Sequence, residues 1–207
     1  MTKNLPEIIY SDPWLLVTNK PAGLLCVPGR GADKQDCLSA RIQLEFPDTL
    51  IVHRLDMATS GLVIFARGAA MQRCLSAMFR DREVEKRYVA VVTGKLEPES
   101  GEINLPIGAD WADRPLRKID EELGKPSLTR YRVLARNADT TRVVLEPVTG
   151  RTHQLRVHMA AIGCPILGDA LYGDAAGAPR LLLHALSLNF PHPVSRVPLN
   201  LVCPAPF

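Results

Sequence analysis

A histidine, an arginine and an aspartate fall within four positions in HRLDMATSG, residues 53–61. Asp56 sits among basic neighbours, and the small residues Thr59-Ser60-Gly61 lead into the apolar run LVIFA. A second basic cluster, GRTHQLRVH (150–158), carries Arg151, His153 and Arg156. If the two segments meet, an arginine faces the carboxylate and favours its charged form. An ionised, fixed carboxylate can act as a nucleophile or as a base. The same residue types can also form a structural ion pair that holds a turn.

Other chemistries find less support. The chain contains no G-x-x-x-x-G-K-[ST], no G-x-G-x-x-G and no G-x-S-x-G, so P-loop, dinucleotide and nucleophile-elbow readings have no motif. A triad of Ser60, His53 and Asp56 lacks an oxyanion signature. A hydrolase using a metal held by histidines is the other rival. His153 and His158 are five apart, about 140° from each other on a helix, with no acid between them. Zincin helices place two histidines four apart on one face. His53, His184 and His192 lie elsewhere, and no metal is expected.

The totals bound the class of protein. Of 207 residues, 46% are hydrophobic, enough for a sizeable core. Twenty-five basic residues against 22 acidic give a charge of +3, compatible with a polyanionic partner. The five cysteines, Cys26, Cys37, Cys74, Cys164 and Cys203, form no C-x-x-C pair. Neither a disulfide framework nor a zinc ribbon is indicated, and a reducing cytoplasm is the expected location. No segment has signal-peptide form, and no apolar run reaches the length of a membrane span.

The elements that must position these residues follow from periodicity. Trp14–Val17 reads as a strand, and NKPAGLL follows as a turn. Asp36 is expected to cap a helix over 37–46, with Leu38, Ile42 and Phe46 at four-residue steps. Residues 62–66 read as a buried strand. Met71, Cys74, Leu75, Met78 and Phe79 define an amphipathic helix whose stripe belongs to the core. Strands are expected over 86–94, 128–136, 141–148 and 181–190, with a Pro-rich tail as edge and loop. Thr152 is expected to cap a helix over QLRVHMAAIG that Gly163 stops. Residues 97–127 read as a long, weakly structured, functional loop bearing Trp111, Arg114, Arg117 and Lys118. Interleaved helices and strands without regular βαβ alternation predict a mixed α+β fold with a mainly antiparallel sheet.

Four separated segments together resemble the RluA branch of the pseudouridine synthases. NKPAGLLCVPGR (19–30) is similar to the first motif of that branch. HRLDMATSG (53–61) matches its H-R-L-D-x-x-T-S-G segment, KRYVA (86–90) its tyrosine-bearing stretch, and GRTHQLRVHM (150–159) its arginine motif. Two further segments, DWADRP (110–115) and PRLLLHA (179–185), resemble the branch member that acts on both ribosomal and transfer RNA.

The resemblance implies a bent, mainly antiparallel mixed sheet flanked by helices, with an RNA-binding cleft. It implies a single catalytic domain over residues 1–207, without the N-terminal S4 domain of some relatives. It makes Asp56 the catalytic carboxylate, acting covalently or as a base at the sugar of the target uridine. Tyr88 corresponds to the tyrosine packed on the flipped uracil, and Arg156 to the arginine paired with the aspartate. Arg54 corresponds to the residue that enters the RNA stack. His53, Arg151 and His153, with Trp111, Arg114, Arg117 and Lys118 of the 97–127 segment, are expected to contact RNA. The implied partners are ribosomal RNA and tRNA; no cofactor, membrane or obligatory protein partner is expected, and the chain is expected to be a monomer. A binding protein of this fold without catalysis is the rival reading.

Overall fold

A computed structural model describes residues 5–207. In chain order the elements are β1 (Ile8–Ser11), β2 (Leu15–Lys20), α1 (Leu38–Glu45), β3 (Thr49–Ile51), β4 (Ser60–Arg67), α2 (Gly68–Arg80), β5 (Glu85–Thr93) and β6 (Ser100–Asn104). They continue as β7 (Ile107–Ala109), β8 (Arg117–Ile119), β9 (Leu128–Arg136), β10 (Thr140–Pro147), α3 (Gln154–Ala161), β11 (Leu183–Pro191) and β12 (Pro198–Val202). The expected mixed α+β fold is present, and the chain divides into two compact units.

The first unit runs to Lys86 and resumes over Ala185–Pro206. Its strands lie in the order β1-β2-β4-β11, with β3 on β4 and β12 on β11. The pairings β1/β2, β2/β4, β3/β4 and β11/β12 are antiparallel. The expected run 62–66 is the centre of β4, where Leu62–Ala66 are fully buried. The α2 stripe packs as its periodicity requires. Leu75 and Met78 join Leu15, Val17, Leu62, Ile64 and Phe190 in one core, with Met71, Cys74 and Phe79 half-buried against it.

Gly61 sits inside β4 at φ +112, and a Cβ there would lie 2.4 Å from the Ala185 carbonyl oxygen. Only glycine allows that close passage of two backbones.

The second unit comprises Arg87–His184 with Phe207. Its strands lie in the order β5-β10-β9-β6, each pairing antiparallel. β7 and β8 form a separate two-stranded ribbon, and α3 packs against β8, β9 and β10.

Three local expectations change. Asp36 does not cap α1: its carboxylate takes both Nε and Nη2 of Arg41 at 2.9 Å. A two-bond charged pair outweighs one neutral cap, so Cys37 becomes the N-cap and its Sγ accepts from the Ala40 amide. Thr152 is not the cap of α3 either. The N-cap is His153, held left-handed at φ 58 without a side-chain cap bond. The Gln154 side chain fastens the turn before the helix instead, accepting from the Arg151 amide and the Thr149 hydroxyl.

The third change concerns 97–127, where 11 of the 31 residues form β6, β7 and β8 and the rest are turns and irregular chain. Strands of three to five residues are too short for periodicity to register. Between β6 and β7, the Pro106 carbonyl accepts from the Asp120 amide just past β8. Gly163 does stop α3: at φ +77 it donates to Ala160, and Cys164 donates to Met159, a Schellman ending.

Candidate active site

In the first unit, Asp56 lies on the connection 52–59 between β3 and β4, and this connection is fastened on both sides of it. The Leu55 amide donates to Cys26 Sγ at 3.2 Å. The Met57 carbonyl accepts from the Gly23 amide at 2.8 Å and from Lys20 Nζ at 3.1 Å. Lys20 is fully buried, and its Nζ also donates to the carbonyls of Pro21 and Leu24, both at 2.8 Å. A buried ammonium is tolerated only when its donors are satisfied; here three backbone carbonyls do so. The Thr59 amide closes the turn on the Asp56 carbonyl. Between these anchors Asp56 is half-buried, whereas Arg54 and Met57 are exposed.

His53 is drawn into the fold. Its Nε2 accepts from the Ile64 amide at 2.9 Å, and its ring stacks on Phe79 with centroids 4.5 Å apart. Burial, with the nearby charge of Lys86, lowers its pKa to about 3. The imidazole is therefore neutral, with its proton on Nδ1, at physiological pH. Burial likewise holds the Lys86 ammonium below its ordinary pKa, helped by the charge of Arg82.

In the second unit, Tyr88 is half-buried on β5, opposite Leu145 of β10. Arg156 projects from α3, its side chain 5% exposed. Its Nε and Nη2 grip the two carboxylate oxygens of Asp169 at 2.8 and 2.6 Å. Asp169 is fully buried, and its Oδ1 also accepts from the amides of Leu171 and Tyr172. Burial alone would raise the pKa of this carboxyl; the Arg156 bonds and charge and the two amides outweigh burial and lower it. The Arg156 guanidinium also lies over the Tyr172 ring, 5.1 Å from its centroid.

His153 and Tyr172 share a hydrogen bond of 2.6 Å between Nδ1 and the phenol oxygen. That oxygen accepts from the Arg117 amide at 2.9 Å, tying β8 to Tyr172. His158 is buried: its Nε2 donates to the Leu105 carbonyl and its Nδ1 accepts from the Thr129 hydroxyl. Burial lowers its pKa, partly opposed by the bond to Leu105.

The exposed candidates lie on loops and the ribbon. Trp111 is 73% exposed, and the Arg114 guanidinium stacks 4.1 Å above its ring. Lys118 is exposed on β8, and exposed Arg151 donates to the Pro126 carbonyl. The Nε of Arg117 is buried without a hydrogen-bond partner. Among the described residues, no three His, Cys, Asp or Glu side chains gather as a metal site, and no helix is long and apolar enough to cross a membrane.

Sequence reading missed four contributors: Lys20, Cys26, Asp169 and Tyr172. Lys20 and Cys26 stand inside NKPAGLLC, where a lysine before a proline turn reads as solvated. Asp169 and Tyr172 belong to GDALYG, an irregular stretch whose one available signal is an acid next to a glycine. Gly168 is at φ +71, and a Cβ there would lie 2.0 Å from the Arg180 carbonyl oxygen.

The chain matches the sequence model described as RNA pseudouridylate synthase over residues 14–161. It is 49% identical to the dual-specificity RNA pseudouridine synthase RluA of Escherichia coli (strain K12), covering 97% of this chain and 93% of that protein. The RluA of Yersinia pestis is 47% identical, over 97% of this chain and 99% of that one. Among solved structures, human RNA pseudouridylate synthase domain containing 1 is similar with a TM-score of 0.82 and 31% identity, over 98% of this chain and 84% of that one. Human RNA pseudouridylate synthase domain containing 4 gives 0.79 and 28%, over 97% and 88%. Fold, motifs and relatives agree: the chain belongs to the RNA pseudouridylate synthase family, isomerases that act on RNA.

Proposed function

We propose that this chain converts specific uridines to pseudouridine in large-subunit ribosomal RNA and in the anticodon stem-loop of tRNA, with Asp56 as the essential carboxylate. The observation that carries the catalytic reading is the fastening of the Asp56 loop at Leu55 and Met57, one residue to either side. A carboxylate fixed in this way acts without first being ordered, the condition for efficient positioning. A binding protein without catalysis has no need for such an arrangement. Identity of 49% to a dual-specificity RluA supports both classes of RNA as substrates.

The reaction breaks the bond between C1′ and N1 of uridine, turns the uracil, and forms a bond between C1′ and C5. The hydrogen of C5 leaves as a proton and N1 gains one, so substrate and product are isomers. Asp56 serves as nucleophile at the sugar or as base for its proton. The family resemblance makes Arg156 the counter-charge of this carboxylate. The target base must leave its stack at a cost of a few kcal/mol. Exposed Arg54 fills the gap, and Tyr88 packs on the uracil; stacking of this kind is worth about 1–3 kcal/mol per base. His153, Arg151, Arg117 and Lys118, with Trp111 and Arg114, contact RNA. His53 supports the same loop. The protein works as a monomer in the cytoplasm.

The test is site mapping. Wild-type protein is incubated with large-subunit ribosomal RNA and with tRNA transcripts, and pseudouridines are mapped at single-nucleotide resolution. Modification in both is expected; modification in one class alone would remove dual specificity while leaving the isomerase.

A further inference from the structure

We propose that Asp169 and Tyr172 are positioning residues for Arg156: the buried Asp169 carboxylate sets the plane of its guanidinium, and Tyr172 braces that plane and joins it to the β7–β8 ribbon. The inference rests on the catalytic role given to Arg156 above and names the groups that make that role possible.

An arginine side chain has four rotatable bonds, so a productive pose must be imposed from outside. Two parallel N–H···O bonds of 2.8 and 2.6 Å fix both the direction and the plane of the guanidinium. Asp169 is itself fixed, because its Oδ1 accepts from the Leu171 and Tyr172 amides and Gly168 permits the tight turn before it. The Tyr172 ring closes one face of the guanidinium. Its hydroxyl is fixed in turn by His153 and by the Arg117 amide. The grip leaves Nη1 outside the fork, so one edge of Arg156 is directed while the other is spent on orientation. A buried charge pair kept only for stability is replaceable by apolar residues at little loss; one kept for orientation is not.

The ribbon link has a consequence. Arg117 begins β8, in the segment that carries Trp111, Arg114 and Lys118. Through the Tyr172 hydroxyl, the backbone of that segment touches the group that braces Arg156, so RNA seated on the ribbon stiffens the arginine.

The test compares full-length Asp169→Asn, Tyr172→Phe, Arg156→Ala and the two doubles with Arg156→Ala. Single-turnover tritium release from 5-tritiated tRNA and ribosomal RNA transcripts, RNA affinity and thermal melting are read together. Asp169→Asn should slow release by about 10²-fold, the loss typical of a misplaced catalytic group, with RNA affinity near wild type. Tyr172→Phe, which keeps the ring and removes only the hydroxyl, should slow it about twofold to tenfold, the value of one hydrogen bond. Each double should be no slower than Arg156→Ala alone, because the losses pass through one residue. Additive losses, or wild-type rates in both single variants, overturn the inference while Arg156 keeps its role. Wild-type turnover by Arg156→Ala removes that role and the inference together.

Discussion

Lys20 Nζ donates to the carbonyl of Met57 at 3.1 Å, one residue beyond Asp56, from a fully buried position. The first motif of the sequence is thus a clamp on the second. Replacing Lys20 by Met should cost about 1–3 kcal/mol, because the carbonyls of Pro21 and Leu24 lose their donor. Turnover should fall more than RNA affinity, since the Asp56 loop loosens. Urea unfolding and single-turnover kinetics check both; a variant of wild-type stability and rate would remove Lys20 from the account.

Gly61 predicts a sharper failure. Alanine there combines a positive φ with a Cβ 2.4 Å from the Ala185 carbonyl oxygen. Strain of this type costs about 1–3 kcal/mol before any clash is relieved. Gly61→Ala should melt several degrees lower than wild type in a calorimetric scan. An unchanged melting temperature would mean that β4 and β11 approach less closely than described.

His53 sets a pH dependence. Its pKa in the folded protein is lowered to about 3, whereas the unfolded chain binds the proton near 6.5. The unfolded state therefore holds more protons below pH 6.5, and stability falls as pH falls from there towards 3. His158 acts in the same direction. Between about pH 6.5 and 5, above most carboxylate titrations, His53→Gln should reduce the slope of unfolding free energy by about one proton. An equal slope in both proteins would show that His53 is charged when folded.

Trp111 and Arg114 offer an exposed, cation-braced ring. Trp111→Ala should weaken RNA binding by about 1–3 kcal/mol, the value of a stacked base, and leave melting unchanged because the ring is 73% exposed. Filter binding at fixed ionic strength measures it. Unaltered affinity would leave the ribbon without a stacking role.

How much of the fold is legible in the sequence depends on the length of the pattern. The α2 stripe from Met71 to Phe79 repeats over two turns, and the helix spans it. Leu128–Arg136 alternates over nine residues, and β9 has those bounds. The short strands β1, β3, β7 and β8 carry too few residues for any period. Caps depart from expectation for a different reason. Asp36 and Thr152 are good capping residues in isolation, but capping propensity is local: Arg41 occupies the Asp36 carboxylate, and the N-cap of α3 falls one residue later than expected, on His153. Asp56 stands out in the sequence because its own motif coincides with three others along the chain. Asp169 does not, since its partner lies 13 residues away and only folding brings the two together.

The central claim is that Asp56 performs the chemistry. Its most direct test is tritium release from 5-tritiated uridine in RNA by wild type and by Asp56→Asn, with RNA affinity measured for both. The account predicts release by wild type and none by Asp56→Asn, which still binds RNA because phosphate contacts carry most of the affinity. Release by Asp56→Asn at the wild-type rate would contradict it.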